Sequence, residues 1–226
     1  MKIVLGASIL VSVLAMAAPR PASATVINWA GTGVEAVASF LNPENGIGAP
    51  DFNLATVSNG GGTGRFGSFG SGVAYDSTAL SALLGVSLSG VDFLAVELNG
   101  SPLLGFEGSK WLFSDGTDTF ATEHIPGGPL QPGIVANVSV SYAAYAAFFG
   151  LSVPIGSGDM NFLLFDLPDA VDTLSPTFTV EVSKGGGFDG GTPDIDAMGV
   201  LVPEPTTALL VGLGLLAVVT SRRRRA

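Results

Sequence analysis

Short apolar runs, each bounded by glycine, proline, asparagine or aspartate, fill the middle of this chain. The runs Pro176 to Ser183 and Ile134 to Tyr142 alternate apolar and polar residues, which predicts strands with one face in water. Met160 to Leu167 is almost continuously apolar and predicts a central strand. Three more segments predict strands, namely Thr25–Ala30, Val86–Leu98 and Ile195–Val202.

Helical patterns are scarce. Glu35 to Leu41 and Thr78 to Leu84 each predict one or two helical turns, and the alanine-rich segment Ala143 to Phe149 fits a helix or a strand. No internal repeat is visible, which argues against a propeller or a β-helix. The sequence therefore predicts an all-β domain of roughly eight strands, a β-sandwich of jelly-roll type.

Charge restricts the partners of this domain. Between residues 25 and 201 there are three basic side chains (Arg65, Lys110 and Lys184) against eighteen acidic ones, a net charge near −15. Such a surface repels nucleic acid and anionic lipid, because backbone binding requires lysine and arginine. The chain has no cysteine, which excludes disulfides, thiol chemistry and thiolate metal sites.

The first 24 residues have the pattern of a secretory signal peptide. Lys2 supplies an early positive charge, Ile3 to Ala18 is apolar, and Ala22-Ser23-Ala24 is a small-residue cleavage site. We expect cleavage after Ala24, which makes the mature protein an exported one.

The last 25 residues form a second targeting segment. Val202-Pro203-Glu204-Pro205 interrupts regular structure, because proline lacks a backbone donor. The uncharged run Thr206–Thr220 follows, and as a helix it reaches about 22 Å, which is marginal for a bilayer core of about 30 Å. Arg222, Arg223, Arg224 and Arg225 predict a cytoplasmic C-terminus. The extracellular domain is then residues 25–201, and the tail is residues 202–226.

Val202-Pro203-Glu204-Pro205-Thr206, the short apolar run and the terminal arginines together resemble the PEP-CTERM sorting signal. The resemblance implies processing by an exosortase in a Gram-negative-type bacterium. It implies an inner-membrane intermediate followed by release to the cell surface or extracellular matrix. It also implies a link to exopolysaccharide or biofilm. The alternative is a simple membrane anchor that is retained.

A weaker resemblance concerns the domain itself. Gly48-Ala49-Pro50-Asp51 near its start and Asp194-Ile195-Asp196-Ala197 near its end are similar to galactose-binding-like β-sandwiches. That resemblance implies a structural calcium ion held by Asp51, Asp194 and Asp196, since calcium prefers carboxylate and carbonyl oxygens from loops. Asp189 belongs to the same acidic segment. The alternative is that these aspartates cap turns and strand ends.

No catalytic constellation stands out. The single histidine, His124, precedes Ile125-Pro126-Gly127-Gly128, which predicts a solvated turn residue. No Gly-x-Ser-x-Gly elbow occurs, and one histidine without cysteine disfavours zinc. Gly62 to Gly67 fits Gly-x-Gly-x-x-Gly, but extended residues rather than a helix follow it, so a dinucleotide site is not expected.

We therefore predict a non-enzymatic extracellular protein that serves as a structural or carbohydrate-binding module. Tyrosine and tryptophan side chains are candidates for sugar stacking, although core packing accounts for most of them. The competing hypothesis is a secreted hydrolase of polysaccharide that uses a carboxylate pair. The candidate carboxylates for that chemistry are Glu107, Asp115, Asp118 and Glu123.

Overall fold

The structure is a computed structural model that describes residues 24–37, 40–57, 62–98, 108–153, 158–185 and 193–203. Within these residues the chain forms thirteen strands and two α-helices. The strands are β1 (Ala24–Trp29), β2 (Thr32–Val37), β3 (Phe40–Leu41), β4 (Ala55–Val57), β5 (Thr63–Gly67), β6 (Ser71–Asp76), β7 (Phe93–Leu98), β8 (Ser109–Ser114), β9 (Thr119–His124), β10 (Ile134–Ser141), β11 (Asp159–Phe165), β12 (Thr179–Lys184) and β13 (Asp194–Pro203). The helices are α1 (Ser77–Leu84) and α2 (Tyr142–Phe149), and Pro43–Gly46 forms one 3₁₀ turn.

The strands form two antiparallel sheets. The larger sheet has eight strands, six of them in the order β10-β11-β7-β13-β1-β6, with β4 also pairing with β13 and β3 with β4. The smaller sheet has five strands in the order β2-β5-β12-β8-β9. Strands β1 and β13 are therefore neighbours in the interior of the larger sheet, although they lie at opposite ends of the described chain.

The main hydrophobic core lies between the two sheets and is built largely from phenylalanine. Phe93 and Phe165 come from the larger sheet, and Phe113 comes from the smaller one. The Phe113 ring centroid lies 5.2 Å from that of Phe93 and 5.1 Å from that of Phe165, both in edge-to-face geometry. Such offset aromatic pairs stabilise a core beyond the area that they bury.

A second core covers the other face of the larger sheet. Leu80 of α1 and Tyr145 of α2 pack there with Trp29, Leu94 and Phe162. The larger sheet is thus buried on both faces, and its central strands β7 and β11 need apolar residues at successive positions. This explains why the Met160–Leu167 segment is almost continuously apolar instead of alternating.

Local sequence fixes both ends of the two helices. The Asp76 side chain caps α1 by accepting the backbone N–H groups of Thr78 and Ala79, at 2.8 and 3.2 Å. Gly85 ends α1 with a φ of 66°, and Gly150 ends α2 with a φ of 72°. Glycine adopts this left-handed conformation without the steric penalty that a Cβ atom brings.

The prediction of an all-β sandwich is confirmed, and the six predicted strands are all present with shifted ends. The described chain contains thirteen strands instead of about eight, because several short edge strands carry little apolar pattern. The prediction of a helix at Glu35–Leu41 is wrong. That segment contributes β2 and β3, and β2 pairs with β5 with Val34 opposite Arg65. Tertiary strand pairing overrides the weak local preference of such a short segment.

The predicted signal peptide, apart from Ala24, and the predicted apolar helix 206–220 lie outside the described residues. No helix within the described part of the chain has the length and hydropathy to span a membrane. Glu107 and Asp189 also lie outside the described residues.

Candidate functional site

The outer face of the five-stranded sheet carries a groove of about 530 Å³. Strand register places four polar residues side by side across four strands. Thr63 of β5 is opposite Ser183 of β12, Ser183 is opposite Lys110 of β8, and Lys110 is opposite Glu123 of β9. Adjacent strands are about 4.8 Å apart, so this row extends about 14 Å across the sheet.

A second row lies beside the first. Arg65 is opposite Glu181, and its Nε atom donates to Glu181 Oε1 at 2.8 Å. Leu112 and Ala121 continue this row as an apolar floor, with Leu112 at 36% exposure. Gln131 and Pro132, from the connection between β9 and β10, form one wall of the groove. The groove thus combines an apolar floor with hydroxyl, amide, ammonium and carboxylate groups.

The charge of the groove is unlike that of the rest of the domain. Two of the three basic residues between positions 25 and 201, Arg65 and Lys110, lie on this face. Each is directly opposite a glutamate, Glu181 and Glu123 respectively. The face is locally balanced although the domain carries a net charge near −15. A balanced polar surface suits an uncharged, hydroxyl-rich ligand better than a polyanion or a cation.

A buried polar cluster occupies one end of the space between the sheets. His124 is 4% exposed at the end of β9, and its Nδ1 atom lies 3.4 Å from Oε2 of Glu97, which is 3% exposed. The Asn137 side-chain nitrogen lies 2.8 Å from His124 Nε2. The Nε2 atom therefore faces the Asn137 amide, and the Nδ1 atom faces the carboxylate.

The prediction that His124 is a solvated turn residue is therefore wrong. Its Nδ1 atom lies beside the buried Glu97 carboxylate, but within the described chain this nitrogen has no hydrogen-bond partner. Within the described chain Glu97 Oε1 has no hydrogen-bond partner. The Nε2 atom of His124, which a serine nucleophile would need, is occupied by Asn137.

The carboxylates proposed for a hydrolase are spread along the β8–β9 hairpin. Asp115 lies in the turn, where its carboxylate accepts the backbone N–H groups of Thr117, Asp118 and Asp172 at 2.7, 2.8 and 3.0 Å. These donors hold the pKa of Asp115 below its ordinary value. Glu123 is at the other end of β9, about 14 Å along the strand from its first residue. Glycosidase carboxyl pairs are about 5 to 9.5 Å apart, so this distance counts against pairing Glu123 with Asp115, whereas Asp115 and Asp118 lie together in the turn.

The predicted calcium ligands come together only in part. Asp196 is 1% exposed, its Oδ1 atom accepts the Asp51 backbone N–H at 3.4 Å, and its Oδ2 atom accepts the Tyr145 hydroxyl. The Asp51 carboxylate instead binds the backbone and side-chain nitrogens of Asn53, at 2.8 and 2.7 Å. Asp194 is partly buried, and burial followed by the nearby Glu97 charge raises its pKa.

Burial also raises the pKa of Asp196 to about 6, against the lowering effect of the Tyr145 hydroxyl. Over the residues that the structure covers, no group of three histidine, cysteine, aspartate or glutamate side chains is arranged to hold a metal ion. Calcium at Asp51, Asp194 and Asp196 stays a prediction.

Strand β13 leads directly into the C-terminal tail. Its last residues, Leu201, Val202 and Pro203, pair with the first residues of β1. A family model described as the PEP-CTERM protein-sorting motif matches residues 201–225. The chain carries a PEP-CTERM sorting motif. This motif marks a secreted protein that an exosortase processes in a Gram-negative-type bacterium.

The PEP-CTERM match begins inside the last strand and covers the tail, so most of the two-sheet domain lies outside it. No curated protein and no solved structure matches the chain. The sorting motif could be predicted from the sequence, whereas the groove was not predicted. A signal for the groove was present in β8, where Lys110 and Leu112 alternate with the buried Trp111 and Phe113.

Proposed function

We propose that this PEP-CTERM protein is a component of the extracellular matrix that binds neutral polysaccharide through the groove on its five-stranded sheet. The observation that carries the proposal is the balanced polar row Thr63, Ser183, Lys110 and Glu123 beside the apolar floor at Leu112. Sugar rings offer both hydroxyls and apolar C–H faces, and a groove of this composition complements both.

The rest of the surface supports the choice of an uncharged polymer. A domain with a net charge near −15 repels acidic polysaccharides, and that repulsion is strongest at low salt. Two of the three basic side chains of the domain, Arg65 and Lys110, offset this charge on the groove face. A non-catalytic role agrees with the distance between Glu123, at one end of the hairpin, and Asp115 and Asp118 in its turn.

The route to the matrix follows from the two targeting segments. The signal peptide is removed after Ala24, and the chain pauses at the inner membrane with residues 206–220 in the bilayer. Arg222 to Arg225 then hold the C-terminus on the cytoplasmic side, as the positive-inside rule requires. The exosortase releases the domain to the cell surface or matrix.

Binding is tested with protein purified from the extracellular fraction. The intact mass of this protein also tests whether residues 1–24 and the segment after Pro205 have been removed. The probes are the exopolysaccharide of the host, a neutral β-glucan and an anionic polyuronate. We expect the wild-type protein to bind a neutral polymer and not the polyuronate. The double variant Lys110→Ala/Glu123→Ala keeps the net charge and should bind about tenfold more weakly.

The matched control is Asp118→Ala, an exposed change in the turn at the far end of the same hairpin, which should bind like wild type. Equal binding by the double variant and wild type would remove the groove from the proposal. Absence of binding to any neutral polymer would leave a structural role in the matrix as the better function.

A further inference from the structure

The first strand of the mature protein pairs with the residues that begin the sorting motif. Thr25, the first residue after the predicted signal-peptide cleavage, is opposite Pro203. Two residues further in, Ile27 is opposite Leu201. The predicted signal-peptide cleavage point and the start of the sorting motif therefore lie at the same end of the larger sheet, on neighbouring interior strands.

The hydrogen-bond alternation of this ladder explains how a proline fits its end. The Ala30 N–H donates to the Met198 carbonyl at 2.9 Å, which makes these two residues a hydrogen-bonded pair. Pair types alternate along an antiparallel ladder, so the Thr25–Pro203 pair five steps away is a non-hydrogen-bonded one. The N–H group that Pro203 lacks would face away from β1, and the proline costs this ladder no bond.

The two residues ahead of Pro203 are held on more than one side. Leu201 is 5% exposed beneath the helices, and its N–H donates to the Asp92 carbonyl at 2.8 Å. Val202 is opposite Val26 and packs onto the core between the sheets. A segment held in this way is a poor substrate for an enzyme that must surround an extended chain.

The sequence leaves almost no spacer after this strand. Only Glu204 and Pro205 separate Pro203 from Thr206, where the apolar run begins. An extended chain spans at most about 3.6 Å per residue, so Pro203 and Thr206 are at most about 11 Å apart. Before processing, the end of β13 must lie next to the membrane, where the exosortase works.

We propose that β1 controls C-terminal processing: the end of the β1–β13 ladder must open before the exosortase can bind the residues ahead of its cleavage point. Thr25, Val26 and Ile27 act as positioning residues, since they hold Pro203, Val202 and Leu201 without touching the enzyme. This inference rests on the exosortase processing assigned to the motif.

The first test supplies a spacer without changing the fold or the motif. Inserting Gly-Ser-Gly-Ser-Val-Pro between Pro203 and Glu204 keeps β13 complete and recreates Val-Pro-Glu-Pro beside the apolar run. Pulse–chase labelling of the full chain in its host, with mass analysis of each cell fraction, gives the processing rate. We expect the insertion to speed processing at least fivefold. The same six residues inserted after Gly127, in an exposed turn, should leave the rate unchanged.

The second test locks the ladder. Ile27 and Leu201 form a non-hydrogen-bonded pair, whose Cα separation of about 4.5 Å lies within the range that a disulfide spans. The chain has no cysteine of its own, so Ile27→Cys/Leu201→Cys cannot form a wrong intramolecular bridge. We expect the oxidised double variant to be processed about tenfold more slowly than either single-cysteine variant, which controls for lost packing.

The outcomes separate this inference from the sorting assignment. If the wild-type, inserted and locked chains are all processed at the same rate, the ladder has no role and the inference is wrong. If wild type keeps its arginine tail in every fraction, the sorting assignment fails and the inference fails with it.

Discussion

Replacing Asp196 by asparagine should change how the stability of the domain depends on pH. Asp196 is a buried carboxyl group bound by the Tyr145 hydroxyl and the Asp51 backbone N–H. Burial raises its pKa from an ordinary value of 3.8 to about 6 in the folded protein. The folded state therefore binds this proton more tightly than the unfolded state does. The resulting contribution to stability is fully present below about pH 4 and is lost as the pH rises through about 6.

The size of the effect follows from the shift. A difference of about two pK units at about 1.4 kcal/mol per unit amounts to about 3 kcal/mol of unfolding free energy between pH 4 and pH 7. Asp196→Asn has no proton to lose in this range, so its stability should lack this component. Asp92 and Asp194 also have raised pKa values, but they are present in both proteins and cancel in the difference.

Urea unfolding followed by tryptophan fluorescence, at half-unit steps from pH 4 to pH 7, measures this difference on residues 25–203. The wild-type protein should lose about 3 kcal/mol relative to Asp196→Asn across the series. Tyr145→Phe serves as the directional control. The Tyr145 hydroxyl lowers the pKa of Asp196, so its removal should move the loss of stability to higher pH. A wild-type minus Asp196→Asn difference that stays constant with pH would refute the reasoning.

Two further predictions concern the fold. Gly199→Ala would bring a Cβ atom within 2.4 Å of Ile27 Cγ2 and 3.0 Å of Trp29 Cε3, so we expect a loss of about 1–3 kcal/mol in thermal or urea unfolding. A variant as stable as wild type would mean that β1 and β13 separate easily here. Carbon-detected NMR titration of Asp115 should give a pKa below the ordinary aspartate value, because three backbone N–H groups bind its charged form. A value at or above the ordinary one would contradict these hydrogen bonds.

Periodicity alone was enough to predict the strands that have one wet face. In β12, Val180 and Val182 are fully buried, while Glu181 between them and Ser183 after them are not, as the alternation requires. The same approach gave a wrong prediction for Glu35–Leu41, because the pattern of so short a segment fits one helical turn as well as a short strand. Its structure is decided by strands that come later in the chain, since Glu35 and Val37 pair with β5 and Phe40–Leu41 pairs with β4.

The alternation in β8 indicates one exposed face, but which residues meet across the groove and what surrounds His124 could not be predicted from the sequence. Lys110 and Glu123 are thirteen residues apart, and only the register of the β8–β9 hairpin places them opposite each other. His124 is buried because Glu97, from the other sheet, faces it across the core. Contacts of this kind depend on sheet order, which local pattern does not contain.

Residues 201–203 satisfy two unrelated requirements at once. As the start of the sorting motif they must suit an enzyme at the membrane, and as the end of β13 they must complete a strand whose Leu201 side chain is buried. Pro203 meets both, since it belongs to the motif and occupies a ladder position where no N–H is needed. A substitution such as Leu201→Asp should therefore impair folding by burying an unpaired charge, even if the exosortase accepts it. Changes at residues 201–203 can therefore impair sorting by destabilising the domain. A sorting defect is assigned to enzyme recognition only when the isolated domain with the same change is as stable as wild type.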